Sequence, residues 1–248
     1  MKAEDLTWEE YGAQVKERIA ILPVGSLEQH GPHLPLNVDV VISSSLAQMV
    51  ASRIQGLILP SIVYGCRPLT TSGCGDLFPG TTSLEAESLI AVVLEILRET
   101  YRHGARKFLV LNGHWENVPF LVEAAYRLVR HHDDVKVMVV SWWDVFPESL
   151  IGPIFAGAGF EGWEKEHAAI VETSLMLHFA PASVRWDRVL DDASPRLPLY
   201  CVLPQPSDIM PKSGICYKAT YATGEKGELI ANQIAISIAK AALSELAE

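Results

Sequence analysis

Four short apolar runs alternate with helix-length segments through the first 140 residues, and no other feature limits the possible folds as much. Residues 19–25, 57–63, 107–111 and 135–140 are dense in Ile, Leu and Val and read as buried strands. Between the first two, Val40, Val41, Leu46, Ala47, Val50 and Ile54 recur at near-helical spacing and Gly56 follows, a helix with its stop signal. Thr82 with Glu85 three residues on predicts a capping box, opening a helix that runs to about His103 and ends at Gly104. Residues 117–131 supply a third helix. Parallel strands need crossovers of this length. The pattern therefore predicts an α/β fold, with one parallel sheet and helices on both faces.

The second half is less regular. Residues 148–162 hold four glycines and read as a loop, 167–179 as a helix, and 225–246 as a closing amphipathic helix. Residues 191–214 hold five prolines and predict an irregular extended stretch, of the kind used as a lid or subunit contact. No repeat or linker divides the chain, so a single domain over residues 1–248 is expected. Hydrophobic residues make up 49% of the chain, enough for a large core. The net charge of −10 and the lack of a Lys/Arg run argue against a nucleic-acid partner. The acidic N-terminus leads into no apolar stretch, and the most apolar helix, near residues 89–97, is too short to cross a bilayer. Cys66, Cys74, Cys201 and Cys216 include no CxxC pair. Together these features predict a cytoplasmic protein with reduced thiols and no membrane partner.

The chemistry concentrates where strands stop. Glu28, His30 and His33 follow the first strand, and Asn112-Gly113-His114-Trp115-Glu116-Asn117 follows the third. Ser72 lies after the second strand, and Trp142, Trp143 and Asp144 after the fourth. Sites in open parallel sheets form beyond the carboxyl ends of the strands. Glu28, His30, Asp39, His114 and Glu116 are nitrogen and carboxylate ligands suited to divalent transition metals. Three carboxylates crowded together repel unless a cation is present. Two divalent ions and one hydroxide would neutralise them, and metal-bound water ionises near pH ~7. Asp39, the lone carboxylate between the clusters, is the candidate bridge.

Other features weigh less. His33 reads as a loop-ordering residue, His131-His132 as solvated surface, and Trp8 and Trp186 as structural. Gly73-Cys74-Gly75 is a weak phosphate-loop hint without a Walker lysine, and no Gly-x-Ser-x-Gly elbow marks a serine hydrolase. Gly162-Trp163-Glu164-Lys165-Glu166-His167 with Glu172 reads equally as a solvated helix start or as a site in which His167 shuttles protons.

On these residues the chain resembles the creatininase (creatinine amidohydrolase) family. The resemblance runs through residues 22–31, Asn37-Val38-Asp39, residues 78–84, Asn112-Gly113-His114, Glu116-Asn117, Gly162-Trp163, Glu166-His167, residues 172–177 and residues 225–229. It implies a three-layer α/β/α sandwich around a mainly parallel sheet, often assembled as a homohexamer. It also implies two divalent ions per chain, zinc and/or manganese. One would be held by Glu28, Asp39 and His114, the other by His30, Asp39 and Glu116.

By the same resemblance, Ser72, Trp115, Trp143 and Trp163 would hold a small cyclic amide, and His167 would protonate its leaving nitrogen. Glu172 would orient that part of the site. The family pattern has Tyr where this chain has Trp115 and Asp where it has Glu164, and the loop holding Cys74 and Asp76-Leu77 also departs from it. These are the positions that bear on which ring fits. The expected activity is a metal-dependent hydrolase opening a small cyclic amide, creatinine to creatine. The alternatives are the same scaffold acting on a diketo-inositol ring or a formamido-pyrimidine, and a non-enzymatic relative serving as a binding or assembly subunit.

Overall fold

The protein is described by a computed structural model that covers residues 1–69, 71–72, 75–195 and 197–247; Gly73 and Cys74 lie outside the described residues. Four strands, β1 (Ala20–Val24), β2 (Leu57–Ile58), β3 (Lys107–Asn112) and β4 (Lys136–Ser141), form a parallel sheet in the order β2-β1-β3-β4. The helices are α1 (Trp8–Gln14), α2 (Val38–Ile54), α3 (Ala86–Arg102), α4 (Val118–Val129), α5 (Glu148–Ile154), α6 (Ile170–Phe179) and α7 (Gly224–Glu245).

Strand side chains alternate between two cores, as the period of two requires. Ile21, Leu109, Leu111 and Val140 pack with α2, α6 and α7. Ala20, Leu22, Val24, Phe108 and Val110 pack with α3 and α4 on the opposite face. The sheet is thus covered on both sides, which is the expected α/β/α arrangement.

The chain leaves β1 toward β2 on one side and returns to β3 on the other. The crevice between β1 and β3 is therefore the switch point of the sheet, where parallel α/β folds place ligands.

Four local expectations are corrected. The second strand is two residues, because Pro60 has no N–H to extend the ladder; Ile62 rejoins β1 through a single bridge to Val24. Thr82 does not cap α3. Its N–H donates to the carbonyl of Leu27, and Glu85 stands at the N-cap instead. The glycine-rich 148–162 segment contains α5 after Pro147. Helix α6 starts at Ile170, because Ala168 has φ 55° and cannot join a right-handed helix. The proline-rich stretch holds no strand or helix among its described residues beyond short bends, and Leu199 and Leu203 project into solvent at 99% and 81% exposure. No helix among the described residues is long and apolar enough to cross a membrane.

Candidate metal centre

The loop after β1, the start of α2, the loop after β3 and the start of α6 converge on one buried polar cluster. Two asparagines tie the strand ends. Asn112 Nδ2 donates to the His114 carbonyl at 2.7 Å and its Oδ1 accepts from the His114 N–H at 3.2 Å. Asn117 Nδ2 donates to the Gly25 carbonyl at 3.1 Å, and its Oδ1 accepts from the Cys66 N–H at 2.8 Å. A Cβ at Gly113 would lie 2.6 Å from the Asp39 carbonyl, so only glycine lets α2 approach β3 closely enough to seat Asp39 between the clusters.

Each histidine is oriented by its far nitrogen. His30 Nδ1 lies 3.1 Å from the Glu28 carbonyl, an acceptor that fixes the proton there and leaves Nε2 free to ligate. That Nε2 is 3.1 Å from Asp39 Oδ1 and 3.6 Å from Glu172 Oε2. His114 Nε2 lies 3.0 Å from the Cys66 carbonyl. Its Nδ1 is 3.1 Å from Glu28 Oε2 and 3.1 Å from Asp39 Oδ2.

Among the described residues three triples of potential ligands result: Glu28-Asp39-His114 and His30-Asp39-Glu172, all buried, and Glu28-His30-His167, in which His167 is half-buried. The first two share Asp39, one oxygen to each. Atoms bound at 2.0–2.1 Å by a tetrahedral ion stand ~3.3 Å apart, close to the separations seen.

The electrostatics fit a cation. His30 Nε2 and Asp39 Oδ2 are buried with no hydrogen-bond partner. Burial opposes charge on both imidazoles, yet the carboxylates around them hold His30 and His114 well above the ordinary histidine range. Burial likewise opposes charge on Asp39 and Glu28. The imidazoles, His30 and His114 for Asp39 and chiefly His167 and His114 for Glu28, still hold both carboxyls below their usual range. Without a metal, the two imidazoles supply the positive charge that these carboxylates need.

Glu116 and Glu172 stand differently from the pairing the resemblance implies. Glu116 Oε2 is 3.2 Å from His114 Nε2, the nitrogen facing away from Asp39. Its other oxygen accepts from the Ser72 hydroxyl and, at 3.0 Å, from the Leu69 N–H. Glu172 is the carboxylate beside His30, its Oε2 accepting from the Ala168 N–H at 2.6 Å. His33 is buried outside all three triples, with Nε2 2.9 Å from the Thr173 hydroxyl, as a loop-ordering residue should be.

A cavity opens over the cluster, lined by Ser72, Trp115, Trp143, Trp163, Glu164 and His167 among others. Every residue proposed from sequence to hold substrate therefore reaches one space. Trp115 and Trp143 stack with centroids 5.3 Å apart and planes 28° apart. Trp142 meets Trp143 and Trp163 edge-on at 5.1 and 5.6 Å. Trp142 is buried and acts as the pedestal for the wall.

Two residues carry weight here that the sequence reading did not give them. Glu166 borders the cavity, buried, with a carboxyl that burial pushes well above its ordinary value, and it accepts from the Val171 N–H. Gln29 reaches His167, Nε2 to Nε2 at 2.9 Å; in the sequence it is marked by its place between Glu28 and His30, within the 22–31 stretch that carries the resemblance.

The creatininase family model (creatinine amidohydrolase) matches residues 4–242. The chain is 42% identical to creatinine amidohydrolase of Pseudomonas putida, over 97% of this chain and 95% of that one. It is 31% identical to the mycofactocin precursor peptide peptidase of Mycobacterium tuberculosis, over 85% of this chain and 78% of that one. A creatininase variant complexed with creatine superposes with a TM-score of 0.94 at 41% identity, covering 100% of this chain and 99% of that one. A Zn-Zn creatininase variant and a Mn creatininase match equally well, each at TM-score 0.94 and 41% identity, covering all of this chain and 98% and 99% of theirs. The chain belongs to the creatininase family.

Proposed function

We propose that the protein is a dinuclear metal-dependent hydrolase that opens creatinine to creatine. The observation that carries this reading is the pair of buried ligand triples sharing Asp39 at the floor of an aromatic-walled cavity. Glu28, Asp39 and His114 would hold one divalent ion, and His30, Asp39 and Glu172 would hold the other. Zinc and manganese suit such nitrogen and oxygen donors. When bound, the two ions polarise the substrate carbonyl and bring the ionisation of water down to about pH 7. Glu116 supports His114 from behind, as carboxylates do for metal-binding imidazoles.

The remaining work falls to the chain's own side chains. Trp115 and Trp143 flank a flat ring and, with Trp163, keep bulk water out. Water adds to the ring carbonyl carbon and the C–N bond breaks. His167 gives the departing nitrogen its proton and recovers one from the added water, leaving an open carboxylate and a guanidino group. Ser72 and Glu164 close the cavity rim and bear on which ring is accepted.

Assembly as a homohexamer in the cytoplasm is part of the same proposal. The exposed apolar stretch around Leu199 and Leu203 supports a subunit contact there.

The test is a panel: creatinine, a diketo-inositol, a formamido-pyrimidine and a peptide amide offered to the metal-loaded protein. Turnover of creatinine at the highest kcat/KM is expected. Turnover of another member with creatinine untouched would replace the substrate while keeping the class. Full activity in protein stripped of metal would sink the mechanism.

A further inference from the structure

Gln29 lies between Glu28 and His30 in sequence, and its side chain is buried. Its amide is fully assigned by its neighbours. Oε1 accepts from the Gly31 N–H at 2.9 Å, and Nε2 donates to the Gly214 carbonyl at 3.0 Å. A flipped amide would face a donor with a donor and an acceptor with an acceptor, so the orientation is fixed. Nε2 also lies 2.9 Å from Nε2 of His167, and the backbone carbonyl of Gln29 lies 2.9 Å from the same nitrogen.

One imidazole nitrogen is therefore met twice by one residue. Both contacts fall on Nε2, so they hold the ring from one side and leave Nδ1 as the other nitrogen of a ring that lines the cavity.

The proline-rich segment closes this arrangement. The Gly214 N–H donates to Pro211, and the Cys216 N–H donates to the His167 carbonyl at 3.1 Å. Gly214 has φ +75°, and a Cβ there would lie 2.0 Å from Gln29 Oε1. Residues 211–216 thus hold both His167 and the residue that grips it.

We propose that Gln29 is a positioning residue for His167, fixing which ring nitrogen faces the substrate, with Gly214 holding Gln29 in place. The inference rests on the reading of His167 as the proton donor. It also gives the end of the proline-rich stretch a part in turnover.

The experiment is a double-mutant cycle on metal-loaded protein with creatinine, or with the panel member it turns over best. Gln29→Met keeps the length and loses the hydrogen bonds; Gly214→Ala displaces the amide with Gln29 intact. Each is made alone and with His167→Ala, and metal content is measured throughout. In the His167 background, kcat should fall on the order of 10- to 100-fold, as mispositioning a catalytic group does, with KM nearly unchanged and two ions retained. Neither change should lower kcat further once His167 is Ala.

An equal fall in both backgrounds, an unchanged kcat, or a fall that tracks metal loss overturns the inference. A His167→Ala protein with normal turnover removes the proton donor itself and the inference with it, a pattern separable from the others.

Discussion

Asp39 Oδ2 lies 3.1 Å from Nδ1 of His114, joining the first turn of α2 to the loop after β3 across the switch point of the sheet. Its other oxygen lies equally close to His30. Asp39 is the carboxylate common to Glu28-Asp39-His114 and His30-Asp39-Glu172, and this sharing sets what each substitution should do to the metal count.

Glu172→Ala should bind about one ion per chain, while Glu116→Ala should keep two and bind them roughly 10- to 100-fold more weakly, the usual cost of losing an outer partner of a metal-binding histidine. Asp39→Ala should bind neither tightly. Elemental analysis after dialysis against graded chelator reads all three. Loss of an ion in Glu116→Ala with two retained in Glu172→Ala would restore the pairing that the family resemblance implies.

Ala168 is buried and left-handed, between His167 and α6. An L-residue there costs roughly 1–2 kcal/mol, and glycine returns part of that through a looser unfolded chain. Ala168→Gly should therefore match wild-type stability or exceed it by up to about 1 kcal/mol, at full activity. Ala168→Val should lose at least about 1 kcal/mol, from β-branching and overpacking. Denaturant midpoints decide it; a strongly destabilised Gly variant would mean that the backbone there is not strained.

His33 supplies a pH dependence. Burial, and secondarily the charge of His30, lowers its pKa from 6.5 to about 4. Its folded value lies below its unfolded value, so the unfolded chain binds more protons between them. The contribution of His33 is fully present above about pH 6.5 and is lost as pH falls toward about 4. Substituting His33→Gln should flatten that limb of the stability-versus-pH curve, measured as the difference from wild type at equal metal loading. Parallel curves would return the acid sensitivity to other groups.

The stack of Trp115 on Trp143 is half open to solvent, with Trp115 40% exposed. An aromatic pair of this kind contributes about 0.5–1.5 kcal/mol. Trp115→Ala should raise KM by roughly 2- to 10-fold and leave kcat near its starting value. Trp115→Tyr should shift the ranking of substrates in the panel more than it shifts stability. A pure kcat loss would place Trp115 in proton transfer or water exclusion instead.

Much of this was legible in the chain because the signals are local. The apolar period marked β1, β3 and β4, and the ligand chemistry clustered at their ends. Local signals failed where a distant partner claimed the backbone. Thr82 is taken by Leu27, and Ala168 adopts a conformation that only its packed surroundings enforce; Pro60, by contrast, is a local signal that the apolar content of residues 57–63 masks.

The sequence by itself determined the class of the fold, the donor types of the centre and the aromatic character of its wall, since each depends on residue identity and short spacing. Only the tertiary structure decided which carboxylate stands beside His30 and which stands behind His114. Glu116 and Glu172 are the same residue type, and no spacing distinguishes them. The choice is made by where α6 begins and by which oxygen the Ala168 and Leu69 N–H groups claim. Those are directional contacts between segments far apart in the chain, fixed only when the strand ends close on one another.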